Sequence, residues 1–305
     1  MNKLDLLVRT YSKLHNYKGI PYWVQTPFRR LVRSIVNHQL PKYLSNRSRQ
    51  IVKKQTDIIV SFTSFPARID NVWQVVECML RQTYMPKKII LWLSNEQFSS
   101  KSDLPKSLLD LENEIFEVRF VDGDIRSHKK YYYVSKEYPN SLILLIDDDL
   151  YYPTDMIEEI LIEHNKYPQS VICRYGHIRK YNEKGNLLPY KYWEETNEAI
   201  IDKHLFFGSG GGTLIKPNSL YKDLTNEELF LKLTPIADDI WLNAMVELAD
   251  IPIKKIKFGL LLPIKGRDDN RTLCSENVSS GQNDIQINNI REYYKKEINK
   301  ELFAK

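Results

Sequence analysis

The sequence predicts an α/β protein built on a doubly wound mixed sheet, and three observations support this fold class. Short β-branched and aliphatic runs alternate with helix-like segments from residue 57 to about residue 150. One run, Leu142–Ile146, is apolar at every position, which is typical of a strand covered on both faces. The hydrophobic share of 42% is enough to bury a sizeable core in a chain of 305 residues.

Hydrophobic periodicity gives the elements in chain order. Period-two or continuous apolar runs predict strands over residues 57–62, 88–93, 116–121, 142–146, 171–174 and 213–215. Apolar residues three and four apart predict helices over residues 72–81, 240–249 and 284–302, and a tyrosine-rich helical segment before residue 142. We therefore expect strands and helices to alternate in the first half, a less regular second half, and helical extensions at both termini.

Composition excludes several classes of protein. The longest purely aliphatic run has five residues, whereas a membrane-spanning helix needs about 20. The first 20 residues lack the apolar core of a secretion signal. The three cysteines, Cys78, Cys173 and Cys274, are far apart and have no zinc-site spacing. We expect reduced thiols and a cytoplasmic location.

The charge is concentrated at the N-terminus. Residues 1–54 hold twelve Lys or Arg and one acid, Asp5, whereas the other 251 residues hold 32 basic and 38 acidic side chains. Basic segments with apolar anchors favour anionic lipid surfaces, and peripheral association with the inner face of the cell membrane is one interpretation. The alternatives are a solvated arm or a helix packed on the domain. The acidic remainder argues against nucleic acid as a partner. Candidate insertion points are Trp23, Phe28, Leu31, Ile35 and Val36.

Three consecutive aspartates, Asp147, Asp148 and Asp149, follow directly after the buried strand at residues 142–146. In open α/β sheets, ligands bind beyond the carboxyl ends of the strands, where these acids fall. Extended geometry places Asp147 and Asp149 on one face. Two carboxylates about 6 Å apart repel by roughly 3 kcal/mol at an effective dielectric of 20. A hard cation, Mg²⁺ or Mn²⁺, reverses that cost. The alternative is a solvated acidic turn that caps the next helix.

Glycines and a second acid pair follow. Four of the eleven glycines fall between residues 208 and 212, where backbone can approach a ligand closely, although a plain turn is equally consistent. No Gly-Lys-Ser or Gly-Lys-Thr follows, so they are not a phosphate P-loop. Asp238 and Asp239 open a predicted helix, where acids interact favourably with the helix dipole. An aspartate there is also a candidate general base towards a hydroxyl.

A fourth group of charged residues follows the strand at residues 116–121. Asp122 and Asp124 come after that strand, with Lys129 and Lys130 close behind. An acid past a strand end can bind ribose or a base, and lysines can neutralise a diphosphate. Ordinary surface charge is the alternative.

These landmarks, taken in order, resemble the GT-A fold glycosyltransferases, in particular the bacterial family 2-like enzymes of polysaccharide biosynthesis. The strand and loop at residues 58–68 look like their nucleotide-binding loop, and residues 82–90 look like the end of their first helix and their second strand. Asp147-Asp148-Asp149 resembles their DxD motif, and Asp238-Asp239 resembles the acid pair before a helix. The resemblance covers residues 57–265, between a basic segment at 1–56 and a polar loop and helix at 266–305. The loop Ser-Phe-Thr-Ser-Phe-Pro departs from the commonest family pattern.

The resemblance implies a Rossmann-like nucleotide-binding half, an acceptor half and a role for each candidate residue. Asp239 would be the catalytic base, with Asp238 near the acceptor. Asp149, together with Asp147, would bind Mn²⁺ or Mg²⁺. The acceptor or its sugar would contact Gly210, Gly211, Gly212 and Trp241. The nucleotide-sugar donor would contact Thr63, Ser64, Arg68, Asp122, Asp124, Lys129, Lys130, Asp147 and Asp148.

The sequence therefore predicts a metal-dependent glycosyltransferase, with inversion favoured. The donor would be a nucleotide-sugar, a UDP-sugar in the first instance, and the acceptor a glycan or lipid-linked hydroxyl. Two alternatives stay open. A sugar-nucleotide nucleotidyltransferase shares the α/β architecture but would want a glycine-rich loop after the first strand, and residues 63–68 contain no glycine. A non-catalytic glycan-binding or membrane scaffold protein is the other.

Overall fold

The computed structural model describes residues 2–14, 22–46, 54–259, 261–265 and 281–305, without the side chains of residues 22–24. The described residues form these α-helices: α1 (Lys3–Ser12), α2 (Tyr22–Ser45), α3 (Val72–Met79), α4 (Lys106–Leu109), α5 (Lys129–Glu137), α6 (Met156–Lys166), α7 (Glu227–Leu233), α8 (Asp238–Leu248) and α9 (Gln282–Ile298). They also form these strands: β1 (Lys54–Gln55), β2 (Ile59–Thr63), β3 (Tyr84–Met85), β4 (Lys88–Ser94), β5 (Phe116–Val121), β6 (Ile143–Ile146), β7 (Leu150–Tyr151), β8 (Val171–Cys173), β9 (Gly176–Ile178), β10 (Glu194–Glu195), β11 (Ile200–Ile201), β12 (Leu205–Phe207), β13 (Gly211–Ile215), β14 (Ile253–Lys255) and β15 (Leu262–Pro263).

An eight-stranded mixed sheet carries the fold, in the order β11-β14-β8-β13-β6-β2-β4-β5. Strands β6, β2, β4 and β5 are parallel, and β13 lies antiparallel between β6 and β8. Strands β9, β10 and β12 form a separate antiparallel sheet. The predicted α/β class with a doubly wound mixed sheet is confirmed.

Helices cover both faces of this sheet. Leu144 and Ile146 of β6 pack in one apolar core with residues of α1, α2, α3 and α6, whereas Ile143 and Leu145 pack in a second core with residues of α5, α7, α8 and α9. This explains why β6 is apolar at every position, since neither of its faces meets water. The parallel strands consequently end together at one edge, where residues of β2, β4, β5 and β6 pass into loops.

The N-terminal helices are packed on the domain. Val36, Leu40 and Leu44 of α2 and Leu4 and Val8 of α1 are buried in the first core. Val36 is therefore wrong as an insertion point, because its side chain is 1% exposed. The side chain of Trp23 is not among the described side chains. The end of the basic N-terminal segment at residue 56 stays a prediction. No helix in the described ranges is both long and apolar enough to span a bilayer.

Two segments differ from the sequence prediction. Helix α9 begins at Gln282 and ends at Ile298, inside the predicted range at its C-terminal end. Gly281 before it has φ +71° and Asn299 after it has φ +54°, and these left-handed residues mark its two ends. Gly211 and Gly212 lie within β13, so only the first part of the glycine run is a turn. The predicted polar loop falls mostly outside the described residues.

Candidate active site

The acid cluster lies at the carboxyl edge of the sheet, where β6 ends, and the loop after β2 reaches it. The Ser64 hydroxyl donates to Oδ2 of Asp148 at 2.6 Å, and Nη1 of Arg68 donates to Oδ1 of Asp148 at 2.9 Å. The same guanidinium lies 3.0 Å from Oδ2 of Asp149. Burial raises the pKa of Asp148 in spite of Arg68 beside it. Ser64 and Arg68, predicted to contact a nucleotide, thus hold the acids in place in this structure.

Lys130 joins the two acid groups that are distant in sequence. Its Nζ lies 2.8 Å from Oδ1 of Asp147, 3.1 Å from Oδ2 of Asp238 and 3.1 Å from Oγ of Ser209. The Lys130 side chain is only 6% exposed. Burial acts to lower its pKa, but Asp147 and Asp238 raise that pKa well above the ordinary value. The ammonium therefore stays charged and fixes Asp147 next to the start of α8.

The absence of a side chain at Gly210 leaves space for the Asp147 carboxyl group that Lys130 contacts. A Cβ at Gly210 would fall 1.8 Å from the carboxyl carbon of Asp147, so this position cannot carry a side chain without moving the acid. The Gly210 carbonyl accepts the amide of Asp147 at 3.1 Å and the hydroxyl of Tyr152 at 2.5 Å. Close approach of backbone to a carboxylate is the reason glycine is needed here.

Asp239 is the acid of the α8 pair whose pKa is raised. Its Oδ1 accepts the backbone N–H of Ser209 at 2.7 Å, and the residue keeps partial exposure at the first turn of α8. Burial, followed by the negative charge of Asp238, raises the pKa of Asp239 to about 7. In contrast, the pKa of Asp238 is lowered, because Lys130 and His128 outweigh the effect of burial. The pair thus divides into a fixed carboxylate and a proton acceptor near neutral pH.

The residues after β5 lie in a hydrogen-bonded cluster of their own. Asp122 is exposed and accepts from Asn95 at 2.8 Å, while Asp124 accepts from Gln97 at 2.6 Å and pairs with the buried ammonium of Lys129. Burial, opposed by Asp124, lowers the pKa of Lys129. Lys129 is therefore directed at Asp124, away from the acids that Lys130 contacts.

Thr63 and His128 have internal partners. The Thr63 hydroxyl donates to the carbonyl of Trp92 at 2.8 Å. His128 is fully buried, stacks on Phe230 with ring centroids 4.4 Å apart, and its Nε2 lies 2.7 Å from the carbonyl oxygen of Thr234. Burial lowers the pKa of His128 to about 4, so its imidazole is neutral at physiological pH.

Three of the predicted acceptor contacts, Gly211, Gly212 and Trp241, are buried in this structure. Trp241 is 0% exposed and its indole N–H donates to the carbonyl of Leu224, so it packs in the core and cannot touch an acceptor. Gly212 faces Met156 and Arg174 inside the protein, and Gly211 faces the side chain of Tyr175. Helical spacing predicts only that Trp241 lies on the inner face of α8. It does not distinguish a tryptophan packed in the core from one that lines a binding site.

Aromatic rings that the sequence analysis missed extend from Asp239. A Cβ at Gly208 would lie 2.7 Å from the Tyr175 ring and 3.8 Å from Oδ2 of Asp239, so both groups border this glycine. The His177 ring follows Tyr175 with centroids 5.2 Å apart, and Tyr190 follows His177 at 5.5 Å. All three rings are partly exposed. Burial lowers the pKa of His177 to about 4, which keeps it neutral. No sequence pattern indicated this row: Tyr175 and His177 are two residues apart, but Tyr190 follows only after the turn at residues 182–185.

Asp147 and Asp149 suit a divalent cation that takes most of its other ligands from water and phosphate. Among the described residues, no group of three or more His, Cys, Asp or Glu side chains is placed to hold a metal. Mg²⁺, however, is usually held by one or two carboxylates together with waters and phosphate oxygens. The Asp147 side chain, 35% exposed beside a Gly210 that leaves space for it, is suited to that role. Asp149 is suited only when the Arg68 guanidinium, 3.0 Å away, gives up its contact.

Comparisons with known proteins do not show a family for this chain. No protein-family model and no curated protein sequence matches the chain. Apo UDP-glucose pyrophosphorylase is a similar solved structure, with 12% identity and a TM-score of 0.41 over 81% of this chain and 100% of that chain. The complex of UDP-glucose pyrophosphorylase with UDP-glucose has 11% identity and a TM-score of 0.36 over the same shares. HddC from Yersinia pseudotuberculosis has 12% identity and a TM-score of 0.33 over 55% of this chain and 78% of that chain. At these values, the likeness carries no argument about function.

Proposed function

We propose that the protein is a glycosyltransferase that moves a sugar from a nucleotide-sugar to a hydroxyl of a glycan or lipid-linked acceptor. The observation that carries this proposal is the setting of Asp239. Its carboxyl group has a pKa of about 7 and is connected through Ser209 and Lys130 to Asp147 at the carboxyl edge of the sheet. A general base is most effective when its pKa lies near the working pH.

The proposed reaction is a direct displacement. Asp239 accepts the proton of the acceptor hydroxyl, whose oxygen forms a bond to the anomeric carbon of the donor sugar. The bond between that carbon and the diphosphate oxygen breaks, and the nucleoside diphosphate leaves with the electron pair. Attack from the opposite face inverts the anomeric configuration. Asp238, paired with Lys130, cannot easily take the proton, because its pKa is lowered.

The donor would lie over the ends of β2, β5 and β6. In this proposal Asp122 and Asp124 contact the base or ribose, and Lys130 and Asp147 lie near the diphosphate and sugar. A divalent cation held by Asp147 and Asp149 would stabilise the leaving diphosphate as a Lewis acid. Arg68 would then move from Asp149 towards the ligand, where its planar fork suits a phosphate.

The acceptor would lie on the row Tyr175, His177 and Tyr190. Sugars present C–H faces that pack on aromatic rings, and Tyr hydroxyls and a neutral imidazole supply hydrogen bonds. This row begins next to Asp239, so a ring-bound sugar can present a hydroxyl to that carboxylate. We infer that the acceptor is itself a glycan and that Tyr175 holds the residue being extended.

One assay separates this proposal from nucleotidyl transfer. The protein is incubated with a panel of nucleotide-sugars and Mn²⁺, with and without pyrophosphate. A glycosyltransferase that leaks to water releases nucleoside diphosphate and free sugar in both cases. A nucleotidyltransferase gives nucleoside triphosphate and sugar 1-phosphate, and only with pyrophosphate. Formation of the triphosphate would overturn the proposal, and the absence of glycine in residues 63–68 favours the first outcome.

The base is tested by Asp239→Asn. We expect donor binding to persist and transfer or donor hydrolysis to fall by about 10²–10⁴-fold, since an amide does not accept the proton. In the parent, log kcat/KM should rise with pH up to about pH 7 and then level off, because the carboxylate is the active form. The matched control is Asp250→Asn, the same change at an exposed residue after α8. Parental turnover of Asp239→Asn would refute the assignment.

A further inference from the structure

Helix α2 has an exposed apolar face directly opposite its buried one. Phe28, Leu31 and Ile35 are 53%, 58% and 46% exposed and follow each other at three- and four-residue spacing, so they share one side of the helix. His38 and Lys42 continue the same line towards the C-terminus of α2 and are exposed. We refer to these five residues as the α2 outer face.

The α2 outer face is not explained by packing of the helix on this domain. Val36, Leu40 and Leu44 on that side are buried in the core, so the helix is already anchored and the outer face is not needed for packing on this domain. Three large apolar side chains in a row, each about half exposed, are more than the scattered single residues that are normal on a surface.

The charges around the outer face select the partner. Residues 1–54 contain twelve basic residues, and their one acid, Asp5, is buried and accepts the amide and hydroxyl of Thr154. Arg9 is engaged by Asp155 and Glu159. Lys3, Lys13, Arg30 and Lys42 are exposed on α1 and α2 or just after α1. Within residues 2–14 and 25–46, the exposed side chains therefore include cations and large apolar groups and no carboxylate.

We propose that the α2 outer face binds an anionic lipid surface. Phe28, Leu31 and Ile35 insert below the headgroups, and the basic side chains lie at headgroup level. Apolar insertion and attraction of basic residues to anionic lipids are the two terms that hold an interfacial helix. The helix lies in the plane of the interface and does not cross it. This proposal does not depend on the proposed transfer reaction, since it concerns another face and a different measurement.

The test uses the full-length protein, because α1 and α2 form part of the core and cannot be removed without exposing it. Co-sedimentation is measured with vesicles of pure phosphatidylcholine and with an equimolar mixture of phosphatidylcholine and phosphatidylglycerol. We expect binding to the mixed vesicles only, weakening as salt is raised, because the Debye length is about 8 Å at physiological ionic strength.

Three variants localise the surface. Changing Phe28, Leu31 and Ile35 together to Ser should lower the partition coefficient by about tenfold or more, while the thermal midpoint stays unchanged because these side chains are exposed. In the double variant Arg30→Gln/Lys42→Gln, the loss of each basic side chain should weaken vesicle binding by about fivefold at low salt. The matched control is Ile162→Ser, an equally exposed apolar residue on α6, which should bind as the parent does.

Two results would overturn the proposal. One is equal binding by the triple variant and the parent. The other is a parent dimer that ignores both vesicles and becomes a monomer in the triple variant, which would make the outer face an interface between copies of this chain.

Discussion

Replacing Lys130 with Met tests whether this lysine holds the two acid groups of the site together. The Nζ contacts with Asp147 and Asp238, at 2.8 and 3.1 Å, are each worth about 5 to 6 kcal/mol at an effective dielectric of 20. Burying the ammonium and its partners costs several kcal/mol per ion, which offsets most of this attraction. Removing the ammonium, however, leaves the buried Asp238 carboxylate without its counter-ion, and we expect the free energy of unfolding to fall by about 3 to 5 kcal/mol.

The pH dependence of this loss gives the sharper measurement. Lys130 lowers the pKa of Asp238 and also acts to lower that of Asp239, so both pKa values should rise in the variant. A carboxyl group with a raised pKa in the native state favours folding at low pH and loses that contribution as pH rises through the native pKa. The stability deficit, measured by urea unfolding, should therefore be larger at pH 8 than at pH 5. The inflection in kcat/KM should move above pH 7.

Lys129→Met is the matched control, since it removes a neighbouring buried lysine that pairs with Asp124 instead. It should leave the inflection in place even where it costs stability. If Lys130→Met does not fold, Lys130→Arg, which keeps the charge, should restore folding and the parental inflection. An unchanged unfolding midpoint and an unchanged pH profile of kcat/KM in Lys130→Met would show that the contacts of Lys130 with Asp147 and Asp238 have no role.

Three further predictions concern single residues. Gly210→Ala should reduce nucleotide-sugar affinity at least tenfold by titration calorimetry, because its Cβ would displace the Asp147 carboxyl group. In a Cys274→Ser variant, no thiol should react rapidly with Ellman's reagent before unfolding, since burial raises the pKa of Cys78 and Cys173 to about 12. His128→Phe should lessen the loss of stability between pH 6.5 and 4 by about 3 kcal/mol, because protonation of the buried imidazole favours unfolding; equal slopes in parallel urea titrations would contradict this.

The central sheet was predictable because its signal is local. Strand β6 is apolar throughout and both of its faces are covered, while α3 and α8 carry the expected three- and four-residue spacing. The ends of α9 were predicted less well, since two left-handed residues, Gly281 and Asn299, define them. The position of β13 between β6 and β8 was not predictable, because strand order depends on contacts between distant segments.

The candidate site was predictable as a set of residues and not as a set of partners. Sequence spacing singled out Asp147 to Asp149 and Asp238 with Asp239, since charged residues directly after a buried strand or at a helix start are conspicuous. It gave no indication that Lys130 contacts both groups, or that Arg68 turns towards the acids. Those contacts depend on the relative placement of α5, α8 and the loop after β2, which only tertiary packing determines.

The N-terminal helices are fastened to the segment that follows the acids. Asp5 of α1 accepts from the amide and hydroxyl of Thr154, and Asn37 of α2 donates to the carbonyl of Pro263 in β15, the partner of β7. A protein held to a bilayer through α2 would thus carry its active site at a set height above the lipid plane, with no slack in the connection. An acceptor hydroxyl would then react only where it reached the height at which α2 holds Asp239 above the bilayer. Chain length between lipid and hydroxyl would select acceptors together with sugar identity.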